Sequence, residues 1–275
     1  MFNKALVALD LTASEQPILD CLPALKQWGL SHIVLSHFIQ SGYVQGAALA
    51  NRQAYIDWLE QCAEPLRAHG MTVEVCAEAD VNIANAILKQ ADAIKADLLV
   101  IGSRGQNIIK KMFLGSTARK VIQQSRIPLL LEWVEPTAEQ TRKCCEAVCT
   151  NSLKHIVLAT DFSTAAKNAE LAALHLASQA GKVECLYVQD KDTDNSKTDA
   201  AMADLLQGFV TAGKTADSVL LNGRASQAIA DYAAQKNASL IIVGRQGRGF
   251  LSNRLIGTTA TRLCEIAGRP VLLLP

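Results

Sequence analysis

Gly102, Gly105 and Gly115, the last followed by Ser116 and Thr117, are the residues whose types and spacing best suit chemistry. Gly244, Gly247, Gly257, Thr258 and Thr259 repeat them with identical internal spacing. Glycine admits positive φ and lets main-chain N–H groups approach a ligand that a Cβ would exclude. A glycine followed by hydroxyl residues at a helix start adds free N–H groups, the positive end of the helix dipole and hydroxyl donors, a set that suits phosphate. The pattern is neither G-x-x-x-x-G-K-[ST] nor G-x-G-x-x-G, so neither standard nucleotide fingerprint applies. Glycines that serve turns or close helix packing would also survive a duplication, which leaves a structural reading beside the anion cradle.

The elements that must position these glycines are short apolar runs alternating with amphipathic stretches. Residues 98–101 and 240–243 are uninterrupted apolar runs ending at Gly102 and Gly244, as in a strand buried on both faces, and a helix is expected after Gly115 and after Gly257. In the first half, strands are expected at 4–9, 32–39, 72–77, 98–101 and 129–131. Helices are expected near 14–22, 52–69, 83–91 and 116–125. The second half repeats the plan, with strands at 155–160, 182–188, 218–221, 240–243 and 271–274. This alternation predicts an α/β fold of two tandem doubly wound domains, each with a five-stranded parallel sheet flanked by helices. The domains are expected at 1–135 and 153–275, with a polar, Pro136-led linker at 136–152 that carries a helix over 137–149. In such sheets ligands sit at the carboxyl ends of the strands. Asp10 and Asp161, which end the first strand of each half, fall at that edge as loop or capping residues or as acceptors for a ligand hydroxyl or amine.

Composition narrows the partners. The chain has 275 residues, 49% hydrophobic and 19% charged, with a formal net charge of +1. That near-neutral balance gives no electrostatic ground for nucleic acid or a membrane surface. No apolar run approaches the roughly 20 residues of a membrane span, and a cytoplasmic location is expected. Eight cysteines without a C-x-x-C pair read as reduced thiols, and Cys144, Cys145 and Cys149 as packing residues, since a metal site would need a nearby histidine or fourth thiol. Asp190, Asp192 and Asp194 alternate as calcium ligands do, but Lys191 and Lys197 interleave, and the loop lacks the glycine and terminal glutamate of a calcium site.

With an aspartate after the first strand and G-x2-G-x9-G-[ST] further on in both halves, the chain resembles a tandem universal stress protein over nearly all its length. The resemblance implies a HUP-type fold that binds an adenine nucleotide. Asp10 and Asp161 would lie near adenine and ribose, and Phe38 and Val188 would contact adenine through their backbone. Gly102, Gly105, Gly115 and Ser116, with Gly244, Gly247, Gly257 and Thr258, would form the phosphate and ribose loops; Thr117 and Thr259 stand where many members carry an aliphatic residue. Arg245-Gln246 in place of Ser103-Arg104, and Ser239 in place of Asp97, set the second half apart. The expected cofactor is ATP, or AMP or ADP, with Mg2+ accompanying it, and the expected function is a stress response in which nucleotide state alters partner choice or assembly. Protein partners are not named by the sequence. A slow ATPase is the enzyme-class alternative, and a scaffold with vestigial sites the third. By the same resemblance the halves are expected to pair through their last strands as a pseudo-dimer, with a homodimer as the further assembly.

Overall fold

The computed structural model describes residues 1–10, 15–41, 51–103, 114–133, 152–189, 196–248 and 256–275. The chain divides into two compact units, Met1–Thr150 and Asn151–Pro275. The linker helix expected over 137–149, its three cysteines, and the loop carrying Asp190, Asp192 and Asp194 lie outside the described residues.

In the first unit the strands are β1 (Lys4–Leu9), β2 (His32–Gln40), β3 (Thr72–Asp80), β4 (Leu98–Gly102) and β5 (Leu129–Glu132). All neighbouring pairs are parallel, in the order β3-β2-β1-β4-β5. The helices are α1 (Gln16–Cys21), α2 (Arg52–Ala68), α3 (Ile83–Ala93) and α4 (Ser116–Gln124). Leu6, Val7, Leu98, Leu99 and Val100 are fully buried, as a central strand covered on both faces demands. The order turns at β1, with β2 on one side and β4 on the other. That makes the carboxyl end of β1 the topological switch point, where a crevice opens. After α1 the chain tightens into a 3-10 turn over Leu22–Trp28 and buries Trp28 against Phe2, ring centroids 5.9 Å apart. Gly29, at φ 96°, ends it; an L side chain resists that backbone, which is why glycine stands there.

The second unit repeats this with β6 (His155–Ala159), β7 (Lys182–Gln189), β8 (Asp217–Asn222), β9 (Leu240–Gly244) and β10 (Val271–Leu274), in the order β8-β7-β6-β9-β10. Its helices are α5 (Lys167–Ala177), α6 (Ser196–Thr211), α7 (Ala225–Gln235) and α8 (Thr258–Ile266). The expected strands are all present, most of them running one or two residues further than the apolar pattern indicated.

The amino edges of both sheets are tied off alike. Asp97 accepts hydrogen bonds from the Asn3 and Lys4 N–H groups at 3.0 and 3.1 Å. Ser239 takes the same place in the second unit: its Oγ accepts from the His155 N–H at 2.9 Å and donates to the Ser152 carbonyl at 3.0 Å. The substitution of serine for aspartate therefore concerns how each first strand is anchored, at the end of the sheet opposite the crevice. Gly181, which leads into β7, is fixed by a close approach, since a Cβ there would stand 2.5 Å from the Lys154 carbonyl oxygen. Main chain cannot swing away as a side chain can. Gly181→Ala is expected to cost about 1–3 kcal/mol, seen as a lower urea midpoint; an unchanged midpoint would show that the turn yields freely.

Burial pushes the Cys185 and Cys264 thiols up to about 12 and the Cys62 thiol to about 11, so all three are protonated at neutral pH. Cys76 is also a free thiol, whereas Cys21 is disulfide-bonded, against the expectation of thiols throughout. Scattered spacing does not reveal which cysteines meet once the chain folds.

Candidate functional site

At the carboxyl edge of the first unit's sheet lies a cavity of about 430 Å³, within the range of small-molecule sites. Asp10 lines it, one residue beyond β1. Phe38 lines it from β2, Gly102 from the end of β4, and Gly115, Ser116 and Thr117 from the start of α4. The sequence thus brought six expected site residues of this half to one cavity; Gly105 lies outside the described residues.

α4 begins with an open amino end. Gly115 is its N-cap, in extended backbone, with no side-chain capping bond. The first intrahelical bond is Arg119 N–H to the Gly115 carbonyl at 2.8 Å, so the N–H groups of Ser116, Thr117 and Ala118 precede the helical ladder and point outward from its end. Ala118, Val121 and Ile122 are buried and hold the helix down, the first two also lining the cavity.

What sets the spacing of the loop is a pair of backbone bonds. Ser103 N–H donates to the Glu132 carbonyl at 2.8 Å, and the Ser103 carbonyl accepts from Gly115 N–H at 3.0 Å. Arg245 does the same in the second unit, donating to Leu274 at 2.6 Å and accepting from Gly257 at 2.8 Å. The residue after the first glycine therefore clamps the loop's return to its own sheet in both halves, whatever its side chain. The serine-to-arginine difference leaves this clamp intact.

The described motif glycines do not work by positive φ. Among the described residues the positive-φ glycines are Gly29, Gly70, Gly213, Gly223 and Gly268, none of them in the motif. Gly115 and Gly257 have φ of −57° and −67°, open to any residue. Close approach is the reason where it is visible: a Cβ on Gly244 would stand 3.1 Å from the Ala165 carbonyl and the Ala166 Cα, and one on Gly247 would stand 2.5 Å from Asp161 Oδ2.

In the second unit the surroundings of the aspartate are described in full. Asp161 Oδ2 accepts from Arg248 N–H at 2.6 Å and Oδ1 from Ser163 N–H at 3.0 Å, so both carboxylate oxygens are engaged by the protein's own main chain. The elbow beside it is held by Thr160, whose Oγ1 donates to Glu170 at 2.8 Å and accepts from Phe162 N–H at 3.0 Å, with Phe162 at φ 57°. Phe162 stacks on Tyr187 at 5.8 Å, and the Arg248 guanidinium carbon sits 5.7 Å from the Tyr187 ring centroid. Tyr187 precedes Val188 on β7 as His37 precedes Phe38 on β2. Val188 and the Gly257-Thr258-Thr259 helix start occupy the positions expected of them, at the carboxyl ends of β7 and at the head of α8.

Among the further lining residues, His37, Tyr55 and Glu15 were not read as site residues from the sequence. His37 interrupts the apolar run of β2, which was the available signal; Tyr55 on α2 and Glu15 at the start of α1 are brought over the strand ends only by the fold.

The universal stress protein family model matches residues 1–131 and again residues 152–275. The chain belongs to the universal stress protein family. A universal stress protein of Mycolicibacterium smegmatis is 23% identical over 212 residues, 74% of this chain and 69% of that protein. The universal stress protein YxiE of Bacillus subtilis is 28% identical over 147 residues, 48% of this chain and 99% of that one. The stress response protein NhaX of the same organism is 37% identical over 84 residues, where the chain spans about half of that protein's length, 51%. Among solved structures, a universal stress protein of Archaeoglobus fulgidus matches with a TM-score of 0.77 at 21% identity, covering 99% of this chain and 96% of that one. A functionally unknown protein of Pseudomonas aeruginosa matches at 0.65 and 17%, covering 99% and 92%. At these identities the structural likeness speaks for the fold. The fold is thus that of tandem universal stress protein domains, and among the described residues no helix is long and apolar enough to cross a membrane.

Proposed function

We propose that this universal stress protein binds ATP or a related adenine nucleotide in the crevice of its first unit, and that the bound state alters its assembly or choice of protein partner. The observation that carries this reading is the single cavity in which Asp10, Phe38, Gly102 and the Gly115-Ser116-Thr117 helix start converge. The phosphates would lie on the N–H groups and hydroxyls at the head of α4, and Asp10 would accept from ribose or base. Mg2+ would accompany the phosphates, as it does where one or two carboxylates and substrate phosphates share it. The residues converging here suit binding; a water-positioning group for hydrolysis is not among those we assign.

In the second unit Asp161 already accepts from the Arg248 and Ser163 N–H groups, and Phe162, Tyr187 and Arg248 stack beside it. We assign one nucleotide per chain. Equilibrium dialysis of the full chain with ATP is expected to saturate at one equivalent, lost in Asp10→Ala and kept in Asp161→Ala. Absence of binding would sink the nucleotide reading, and two equivalents would sink the assignment to the first unit.

A further inference from the structure

We propose that His37 reads the base in the first crevice, its Nε2 accepting a hydrogen bond from an exocyclic amino group, so that the site selects a 6-amino purine over one lacking that group. This rests on the nucleotide reading above and names the residue that gives it base specificity.

His37 is 7% exposed on β2 and lines the cavity. Its Nδ1 lies 2.9 Å from the Leu9 carbonyl oxygen. A carbonyl can only accept, so Nδ1 carries the proton and Nε2 presents its lone pair. Burial is the largest influence on the imidazole and lowers its pKa, outweighing the Leu9 carbonyl and the Asp10 carboxylate, which both raise it. The ring is therefore neutral at pH 7, with one fixed tautomer. The Tyr55 ring, 4.9 Å away and inclined at 48°, holds it from the α2 side. Among the described residues the ionisable groups that line the cavity with it are Asp10, just beyond β1, Glu15, just before α1, and Tyr55 from α2; α3 and α4 contribute none. Nε2 has no protein hydrogen-bond partner among the described residues.

Topology assigns this acceptor to the base end of the crevice. β1 lies between β2 and β4, and α4 follows β4, so the phosphate cradle and His37 stand on opposite sides of Asp10. Two strand spacings separate them, roughly 10 Å, a distance that a nucleotide bridges between phosphate and base. A buried acceptor with a fixed lone pair favours a ligand N–H and is left unsatisfied by a ligand that lacks one.

The test is calorimetric titration of the full chain with ATP and with purine riboside triphosphate, which lacks the 6-amino group and gains no new donor. The parent protein is expected to prefer ATP by at least about tenfold. His37→Phe should bring the two affinities together by weakening ATP alone, and His37→Gln, which restores an acceptor, should recover part of the preference. Equal affinities in the parent, or a preference unchanged in a folded His37→Phe variant, would overturn the role of His37 while leaving nucleotide binding in place. Failure of both ligands to bind would overturn the nucleotide reading and this inference with it.

Discussion

Gly115→Val is expected to lower ATP affinity by on the order of a hundredfold, equivalent to about 3 kcal/mol, while leaving the melting transition of the chain nearly unchanged. The argument rests on what Gly115 does and does not contribute. Its backbone bonds, N–H to the Ser103 carbonyl and carbonyl from Arg119 N–H, are independent of the side chain. Its φ of −57° and ψ of 147° are comfortable for a β-branched residue. Neither these bonds nor these dihedrals reject valine. A phosphate does, because two methyl groups would stand at the head of α4, beside the N–H groups of Ser116, Thr117 and Ala118. Losing two charge-assisted hydrogen bonds of about 1.5 kcal/mol each accounts for the effect. Titration calorimetry and a thermal melt on the same preparations separate the outcomes: unchanged affinity would sink the cradle, and loss of folding would favour a structural role for the glycine.

That separation matters because the glycines were the most legible part of the sequence and the least understood. Their repeated spacing located the strand ends and the helix starts correctly, since a strand buried on both faces is an unbroken apolar run and the motif begins where the run stops. The reason for the spacing was not legible. It comes from the clamp at Ser103 and Arg245, made by main chain and indifferent to side-chain identity. Positive φ, the usual ground for glycine, plays no part at the described motif positions; at Gly244 and Gly247 the cause is contact with segments some eighty residues earlier in the chain.

Asp97 and Ser239 show the converse error. Aligned by position they look like a gain or loss in a binding site, yet both anchor the amino ends of β1 and β6. In the second half Phe162, Tyr187 and Arg248, three residues without a motif, are brought together by the fold. His37 belongs to the same class. Its tautomer is set by a carbonyl on the neighbouring strand, which no reading of local sequence supplies.

The stability of the chain is expected to carry a distinct acidic optimum traceable to Glu132. This residue ends β5, is 5% exposed, and burial pushes its carboxyl up to about 7 from an ordinary 4.5. Between those two values the folded protein keeps a proton that the unfolded chain has released. Rising pH then favours the unfolded chain, so the contribution of Glu132 falls from pH 4.5 to pH 7 and levels off above it. A shift of this size corresponds to about 3 kcal/mol in all. Other groups act in the opposite sense: Glu184, held low by hydrogen bonds from Lys182 and His155 that outweigh its burial, adds stability above the usual carboxylate range and loses it toward acid. The comparison must therefore be between the parent and Glu132→Gln, in which these shared terms cancel. Urea midpoints for the two proteins at pH 5 and pH 7.5 are expected to show the parent losing about 2–3 kcal/mol more than the variant over that interval. The amide has its own cost of burial, so the difference in slope, rather than either absolute stability, carries the result. Parallel pH profiles would mean that Glu132 ionises as it does in water, and its burial would then exert no hold on the proton.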